Sequence, residues 1–300
     1  MTVSRRGIGW LTVALLVAIL GMALWFRWTY VRGVSLYVDE YITLRAAWQI
    51  LERGVPLLPT GNFYSHGLLL SYVEAGVAAL VGFDPLAARL PVLLISVLTV
   101  FLVWWVGRRW FSQPVGLLAA GLLALAPEAI VWGGRARMYA PLQFFVLLAV
   151  FAYWRAVGAG GRRRDSLFFA LCFLCALFLH AEAMILLPVL GLVALGIDGP
   201  RLRREGLAGL LRFWWGKGLI LAWGAAALGV LVELWFRQLG PPMVSRLAEG
   251  VYGPSGRVYV QPAWDGPGIY KTLEPLLTSP GVLGLLALGA LLWLFALLGR

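Results

Sequence analysis

Long apolar runs alternate with short charged segments along the whole chain. The runs occupy 8–26, 67–83, 90–106, 115–132, 141–157, 167–197, 218–236 and 282–298. A helix crossing a bilayer core of about 30 Å needs roughly 20 apolar residues, with a lower limit near 17. Most of the runs meet that length. The run 67–83 is marginal, because it is short and holds Ser71, Tyr72 and Glu74. The run 167–197 is too long for one crossing and is interrupted at His180. Between the first two runs, Tyr41, Leu44, Trp48 and Leu51 form one stripe at helical spacing, with Arg45, Gln49, Glu52 and Arg53 off it. This pattern predicts a short amphipathic helix lying on a membrane surface. Asp39 and Glu40 fall in its first turn.

The first run follows Arg5 and Arg6 and resembles a secretory leader. It lacks a small-x-small cleavage pattern and continues past Trp25 to Trp28, so it reads as a retained first span. Loop charges then set the orientation. Arg108–Arg109, Arg162–Arg164 and the group Arg201, Arg203 and Arg204 sit in short, dense clusters. The positive-inside rule places these clusters in the cytoplasm with the N-terminus. That arrangement requires 67–83 to lie along or dip into the outer leaflet without crossing. It also requires 167–197 to go out and return, with its turn near His180. Eight spans result. The cytoplasmic side then holds 14 basic and 3 acidic groups, and the outer side 11 of each. Eleven of the 14 acids gather outside. Two long outer loops follow, 29–66 and 237–280. The chain ends two residues after its last apolar run, which suggests a minimal core or a C-terminally incomplete chain.

Composition narrows the class further. Apolar residues make up 61% of 300 residues and charged residues 13%, where soluble domains carry about 25%. Mean hydropathy is +0.84. A soluble globule of this length has no interior for so much apolar surface, so the expected fold class is an all-α polytopic membrane protein. The net charge of +11 does not indicate a nucleic-acid partner. The arginines are dispersed between spans and form no continuous basic face. Cys172 and Cys175 lie inside an apolar run and read as small packing residues.

Several polar residues have no obvious place in such a chain. Asp39 and Glu40 are explained either by helix-end electrostatics or by a catalytic acid pair. Arg135, Arg137 and Tyr139 fall in an outer loop, against the orientation bias for arginine. They are either a snorkelling pair or an anion site, since arginine presents a fixed fork of donors to phosphate oxygens. His66, beside Tyr64, opens the outer-leaflet element, and His180 and Glu182 mark the turn of the long run. They are either polar caps or substrate-binding groups. Their spacing matches no closed metal motif, so no metal site is assigned. All these groups fall on the outer side in four separate segments. Together they supply carboxylate, imidazole and guanidinium, which suits a reaction that deprotonates a hydroxyl and expels a phosphate. The 237–280 loop is rich in Gly, Pro and Tyr and reads either as an interfacial connector or as a lid.

At these positions the sequence resembles the GT-C superfamily of polytopic glycosyltransferases, in its protein-O-mannosyltransferase and aminoarabinose-transferase-like branch. The resemblance rests on Asp39-Glu40 after the first span, Leu51-Glu52-Arg53-Gly54-Val55-Pro56 and Phe63-Tyr64-Ser65-His66-Gly67-Leu68. It continues through Ala88-Arg89-Leu90-Pro91, Gly107-Arg108-Arg109-Trp110-Phe111, Arg135-Ala136-Arg137-Met138-Tyr139 and Phe178-Leu179-His180. These motifs run from about Val34 to Pro188. Many relatives carry a His-Pro-Pro or Lys-Pro sequence where this chain has Ser65-His66-Gly67, and relatives are usually longer.

The resemblance implies a GT-C-like helix bundle, one transmembrane glycosyltransferase core over 1–300, with outer interfacial helices in the first long loop. It implies a polyprenyl-phosphate-linked sugar as donor and a lipid, glycan or protein as acceptor. It maps catalysis onto Asp39 and Glu40, and the donor phosphate onto Arg135, Arg137 and Tyr139. No nucleotide motif is present, and no cofactor is required beyond an optional divalent cation. The expected site faces outward from the plasma (inner) membrane. The alternative reading is a transporter or flippase for a lipid or small solute. Intramembrane His and Glu at broken helices would suit it, but no inverted repeat is visible.

Overall fold

The structure, a computed structural model, describes residues 9–58, 63–158 and 161–234. The 237–280 loop and the 282–298 run lie outside the described residues. Those described are helical, apart from turns and one antiparallel bridge between Leu57 and Phe63. In chain order the helices are α1 (Trp10–Gly33), α2 (Val38–Arg53), α3 (Leu68–Val81), α4 (Pro85–Trp110), α5 (Gln113–Leu125), α6 (Pro127–Gly133), α7 (Tyr139–Val157), α8 (Arg163–Leu179) and α9 (Leu186–Gly216). A 3-10 turn, Ala181–Ile185, precedes α9, and α10 (Leu219–Leu234) follows it. Among the described residues, α1, α4, α7 and the stretch Ala181–Gly216 are long and apolar enough to cross a membrane. The bent pair α5–α6 would be a fifth crossing. The protein is therefore a multi-pass helical membrane protein. α3 and α10 are shorter apolar helices. The amphipathic helix expected over 37–51 is present as α2.

The chain divides into two compact units. Among the described residues, the first comprises 9–54 and 70–147, and the second 55–58, 63–69, 148–158 and 161–234. In the first, α1, α4 and α5 pack on one another around Leu16, Ala23, Val100, Trp104, Ala120 and Ala124. The small residues allow close approach. A Cβ on Gly116 would sit 2.6 Å from the Trp104 carbonyl oxygen and 2.8 Å from the Arg108 nitrogen. Small residues at crossings let membrane helices associate through backbone contact.

The run 115–132 reads as one span from its hydropathy, but the chain bends there by 66° between α5 and α6. Pro127 is the cause. It has no N–H to donate to the Leu123 carbonyl four residues earlier. Arg27, fully buried on α1, supplies donors in its place. Its guanidinium donates to the Leu123 carbonyl at 3.4 Å and the Ala124 carbonyl at 3.2 Å, as well as to Ser96 Oγ at 2.7 Å and the Ala23 carbonyl at 3.1 Å. A membrane interior offers no water to such carbonyls, so a broken span needs a protein donor.

In the second unit, Tyr153 ties four helices together. Its ring packs on Phe169 of α8 at 5.0 Å and Trp223 of α10 at 5.9 Å, and its hydroxyl donates to the Leu190 carbonyl of α9 at 2.9 Å. The long run 167–197 breaks at His180, whose backbone is extended (φ −157°, ψ 132°), with the 3-10 turn completing the change of direction. The expected loop around Arg201–Arg204 is not a loop. α9 continues through it to Gly216, with a kink at Gly206 (φ 68°, ψ −177°). Arg201 pairs with Glu205 one turn away and lies 3.5 Å from the Phe213 ring centre beyond the kink. Cys172 and Cys175 are free thiols within α8, and Cys172 is buried.

Arg27→Met should leave the Leu123 and Ala124 carbonyls without their donor. We expect a loss of roughly 1–3 kcal/mol, the cost of buried groups left unpaired. Thermal unfolding of the detergent-solubilised protein checks this, with wild-type stability in the variant as the contrary result.

Candidate active site

The start of α2 is fixed by its own sequence. Glu40 Oε2 accepts from the Tyr37 backbone N–H at 2.9 Å, closing the first turn. Acids in that turn also suit the helix dipole. Adjacent residues on a helix point about 100° apart, and Asp39 and Glu40 meet different surroundings as a result.

Glu40 points inward and is fully buried. Arg89 of α4 grips it with two parallel bonds, Nε to Oε1 at 2.7 Å and Nη2 to Oε2 at 2.8 Å. The Ala136 backbone N–H donates to Oε1 at 2.8 Å. With the Tyr37 bond, both Glu40 oxygens accept twice. The remaining Arg89 donors go to the carbonyls of Val31 at 3.0 Å, Val34 at 2.8 Å and Ser35 at 3.0 Å. All five guanidinium N–H groups are thereby used. Burial alone would raise the Glu40 pKa. The Arg89 hydrogen bonds, the two backbone donors and the Arg89 charge outweigh it and hold the carboxyl below the ordinary glutamate range.

Asp39 is different. Its side chain is 44% exposed, and Arg137 Nη2 approaches Oδ2 at 3.5 Å. Arg137 is itself held by α2, donating to the Asp39 carbonyl at 3.2 Å and to Thr43 Oγ1 at 3.1 Å. Thr43 in turn donates to the Asp39 carbonyl at 3.0 Å. The Tyr139 ring lies 5.7 Å from the Arg137 guanidinium. Arg135, two residues earlier, sits among aromatic faces. Its Cζ is 4.5 Å from the Tyr37 ring centre and 5.2 Å from that of Trp132, while Nε donates to the Tyr30 hydroxyl at 2.9 Å. Asp39, Glu40, Arg135, Arg137 and Tyr139 thus form one cluster, although about 95 residues of sequence separate the acids from the arginines.

Tyr64, His66, His180 and Glu182 belong to the second unit and form a cluster of their own. The rings of Tyr64 and His66 lie 6.2 Å apart, as do those of His66 and His180. His180 Nδ1 accepts from the Glu182 backbone N–H at 3.3 Å, and the Glu182 carboxylate lies 3.8 Å from the same nitrogen. Among the described residues, no group of three or more His, Cys, Asp or Glu is placed to hold a metal ion.

The surroundings of two further charged residues emerge only in the structure. Arg89 belongs to a sequence motif, but nothing in its neighbourhood names Glu40 as its partner. Glu74 on α3 is 1% exposed, and neither carboxyl oxygen has a hydrogen-bond partner. Burial, reinforced by the Glu40 charge and partly opposed by that of Arg137, pushes its pKa well above the usual range. The apolar character of α3 around it was the available signal, since a lone acid in such a stretch needs an explanation.

Residues 65–213 match the family model described as dolichyl-phosphate-mannose-protein mannosyltransferase. The matched stretch holds His66, Arg135, Arg137, Tyr139, His180 and Glu182, and begins after Asp39 and Glu40. No curated protein and no solved structure matches the chain. The family match, together with the multi-pass helical fold, supports the resemblance to the GT-C superfamily of membrane glycosyltransferases read from the motifs.

The Arg89–Glu40 pair makes a stability prediction. Arg89→Met should cost about 3–5 kcal/mol by leaving a buried carboxylate uncompensated. The depressed Glu40 pKa also has a defined sign. Its contribution is present above the unfolded-state value, near pH 4.3, and is lost as pH falls through the lower folded-state value. The stability difference between wild type and Glu40→Gln should therefore shrink on acidification below about pH 4. Equilibrium unfolding across pH 3–7 measures it, and a difference independent of pH would contradict this role for Glu40.

Proposed function

We propose that the protein transfers a sugar from a polyprenyl-phosphate donor to an acceptor hydroxyl in one inverting displacement, with Asp39 as general base. The observation that carries this reading is the unequal engagement of the two acids. Every acceptor position of Glu40 is filled, so Glu40 acts as a positioning residue. Asp39 keeps a half-exposed carboxylate beside a fixed arginine. In the reaction, Asp39 takes the acceptor's hydroxyl proton as the oxygen attacks the anomeric carbon. The bond from that carbon to the phosphate oxygen breaks with its electron pair, leaving polyprenyl phosphate. Arg137, with Arg135 and Tyr139 beside it, stabilises the charge that grows on the phosphate. Its orientation is set beforehand by Thr43 and the Asp39 carbonyl, so little reorganisation is needed as the charge develops. Tyr64, His66, His180 and Glu182 bind substrate. An amine acceptor would react in the same way. The core of the enzyme extends over 1–300 as one transmembrane assembly.

The expected test is a transfer assay with a polyprenyl-phosphate mannose donor and the purified full chain. Asp39→Asn should preserve folding and donor binding and lower transfer at least about 100-fold, the lower range for a general base. Arg137→Ala should weaken donor engagement as well as turnover. Wild-type transfer by folded Asp39→Asn protein would remove Asp39 from the mechanism.

The same reading places the Asp39 cluster on the outer face of the plasma (inner) membrane, with a cytoplasmic N-terminus. α3 then rests in the outer leaflet, as its 14 residues suit. Cysteines introduced near Asp84 and near Arg135 should react with an impermeant reagent added outside intact cells, and one near Arg163 should not. Labelling near Arg163 from outside would overturn the topology.

A further inference from the structure

The stretch Ala181–Gly216 holds 36 residues, where a single crossing needs about 20. A crossing that begins at Ala181 ends near Arg201, and about fifteen residues of α9 remain to be placed beyond it. The backbone breaks at Gly206 (φ 68°, ψ −177°), so 207–216 forms a separate arm of the helix. Three contacts pin this arm within the second unit. Trp214 Nε1 donates to Asp198 Oδ2 at 2.8 Å, Arg201 Cζ lies 3.5 Å from the Phe213 ring centre, and Arg163 Nε of α8 donates to the Gly216 carbonyl at 3.1 Å. Gly209 and Leu210 are buried on the same side as Phe213 and Trp214. At about 100° per residue, Leu207, Leu211 and Trp215 share the other side, and all three are exposed. Arg212 is exposed beside them, as are Arg203 and Arg204 just before the break. Among the described residues, none of these three arginine side chains forms a hydrogen bond or ion pair. The two acids of the segment are already engaged, Asp198 with Trp214 and Glu205 with Arg201 at 3.4 Å.

We propose that the 207–216 arm lies in the membrane interface and docks on anionic phospholipid. Leu207, Leu211 and Trp215 enter the acyl chains next to the headgroups, and Arg203, Arg204 and Arg212 meet lipid phosphates. An anionic leaflet complements this surface in both respects, by burying the apolar sector and attracting the charge. A zwitterionic leaflet would satisfy the apolar sector alone, and a soluble anion would leave that sector in water. Each guanidinium also offers a fork of donors that matches phosphate oxygens. The surface uses no residue of the proposed transfer reaction and stands independently of it.

The full chain in mixed phosphatidylcholine–phosphatidylglycerol nanodiscs tests the proposal. Cys172→Ala and Cys175→Ala remove the native thiols, and Leu211→Cys carries a bimane probe. A nitroxide on the acyl chain next to the headgroup should quench this probe. At equal mole fraction it should do so at least about threefold more strongly on phosphatidylglycerol than on phosphatidylcholine, a preference that one basic residue near an anionic surface can supply. A probe on Leu192→Cys, exposed within the spanning part of α9, should be quenched equally by the two lipids carrying a mid-chain nitroxide. Combining Arg203→Gln, Arg204→Gln and Arg212→Gln should abolish the preference at position 211 while quenching itself persists. Should that variant fail to fold, salt near 1 M, where the Debye length falls to about 3 Å, should abolish the preference in the protein with its arginines intact. Equal quenching by both lipids at 211, or a preference that survives the glutamine substitutions or high salt, would overturn the proposal. So would a probe at 211 reached by aqueous iodide instead of lipid, or by neither, the latter showing that protein covers this face.

Discussion

The Arg89–Glu40 pair is the constraint on which the first unit's polar cluster depends. One guanidinium joins the last carbonyls of α1, the extended residues after it and the first turn of α2. One carboxylate then reaches the Ala136 backbone in the loop before α7. Asp39 is the neighbour of Glu40, and Arg135 and Arg137 flank Ala136. A single buried ion pair therefore sets the position of both halves of the proposed chemistry. Such a pair is stabilising only when its remaining donors and acceptors are satisfied, because desolvation costs several kcal/mol for each ion. Here every Arg89 donor and both Glu40 oxygens are occupied, so that condition is met.

Arg27 and Arg89 solve the same problem in different places. Helix ends and breaks leave carbonyls without intrahelical donors, and an apolar environment supplies none. Arg27 serves the end of α5, where Pro127 has removed a donor. Arg89 serves the end of α1, where the chain turns toward α2. Neither arginine has a phosphate-binding task in this arrangement. A recessed charge in a membrane protein is functional by default, but Arg27 and Arg89 are fully occupied by backbone carbonyls, Ser96 and Glu40.

Much of this organisation is legible in the sequence, and the limits have physical reasons. Apolar run lengths foretell α1, α4 and α7, and the stripe through Tyr41, Leu44 and Trp48 foretells α2. The polar interruption at His180 marks a real break, since an extended residue separates α8 from the 3-10 turn. Hydropathy averages over Pro127, so the α5–α6 bend is invisible to it although the proline itself is in plain view. The Arg201–Arg204 cluster looks like a loop because charge density marks cytoplasmic ends, yet charge does not prevent helix when a Glu205 lies four residues on. The unequal fates of Asp39 and Glu40 are beyond local reading. They depend on Arg89, 49 residues away, whose guanidinium reaches only one of the two acids.

The two loop arginines are held by different means, and the difference bears on what each can do. Arg137 is oriented by hydrogen bonds to α2, through the Asp39 carbonyl and Thr43, and its guanidinium lies beside the half-exposed Asp39 carboxylate. Arg135 is held mainly by ring faces, which attract the cation without consuming most of its N–H donors. A guanidinium surrounded by Tyr37, Trp132 and Tyr30 keeps its charge partly out of water while its outer donors remain directed along one plane. That is a suitable arrangement for an incoming anion, because the cost of orienting and desolvating the cation is met when the chain folds. The same folding step that buries Glu40 therefore leaves the Asp39 carboxylate beside an oriented Arg137, as the proposed transfer reaction requires.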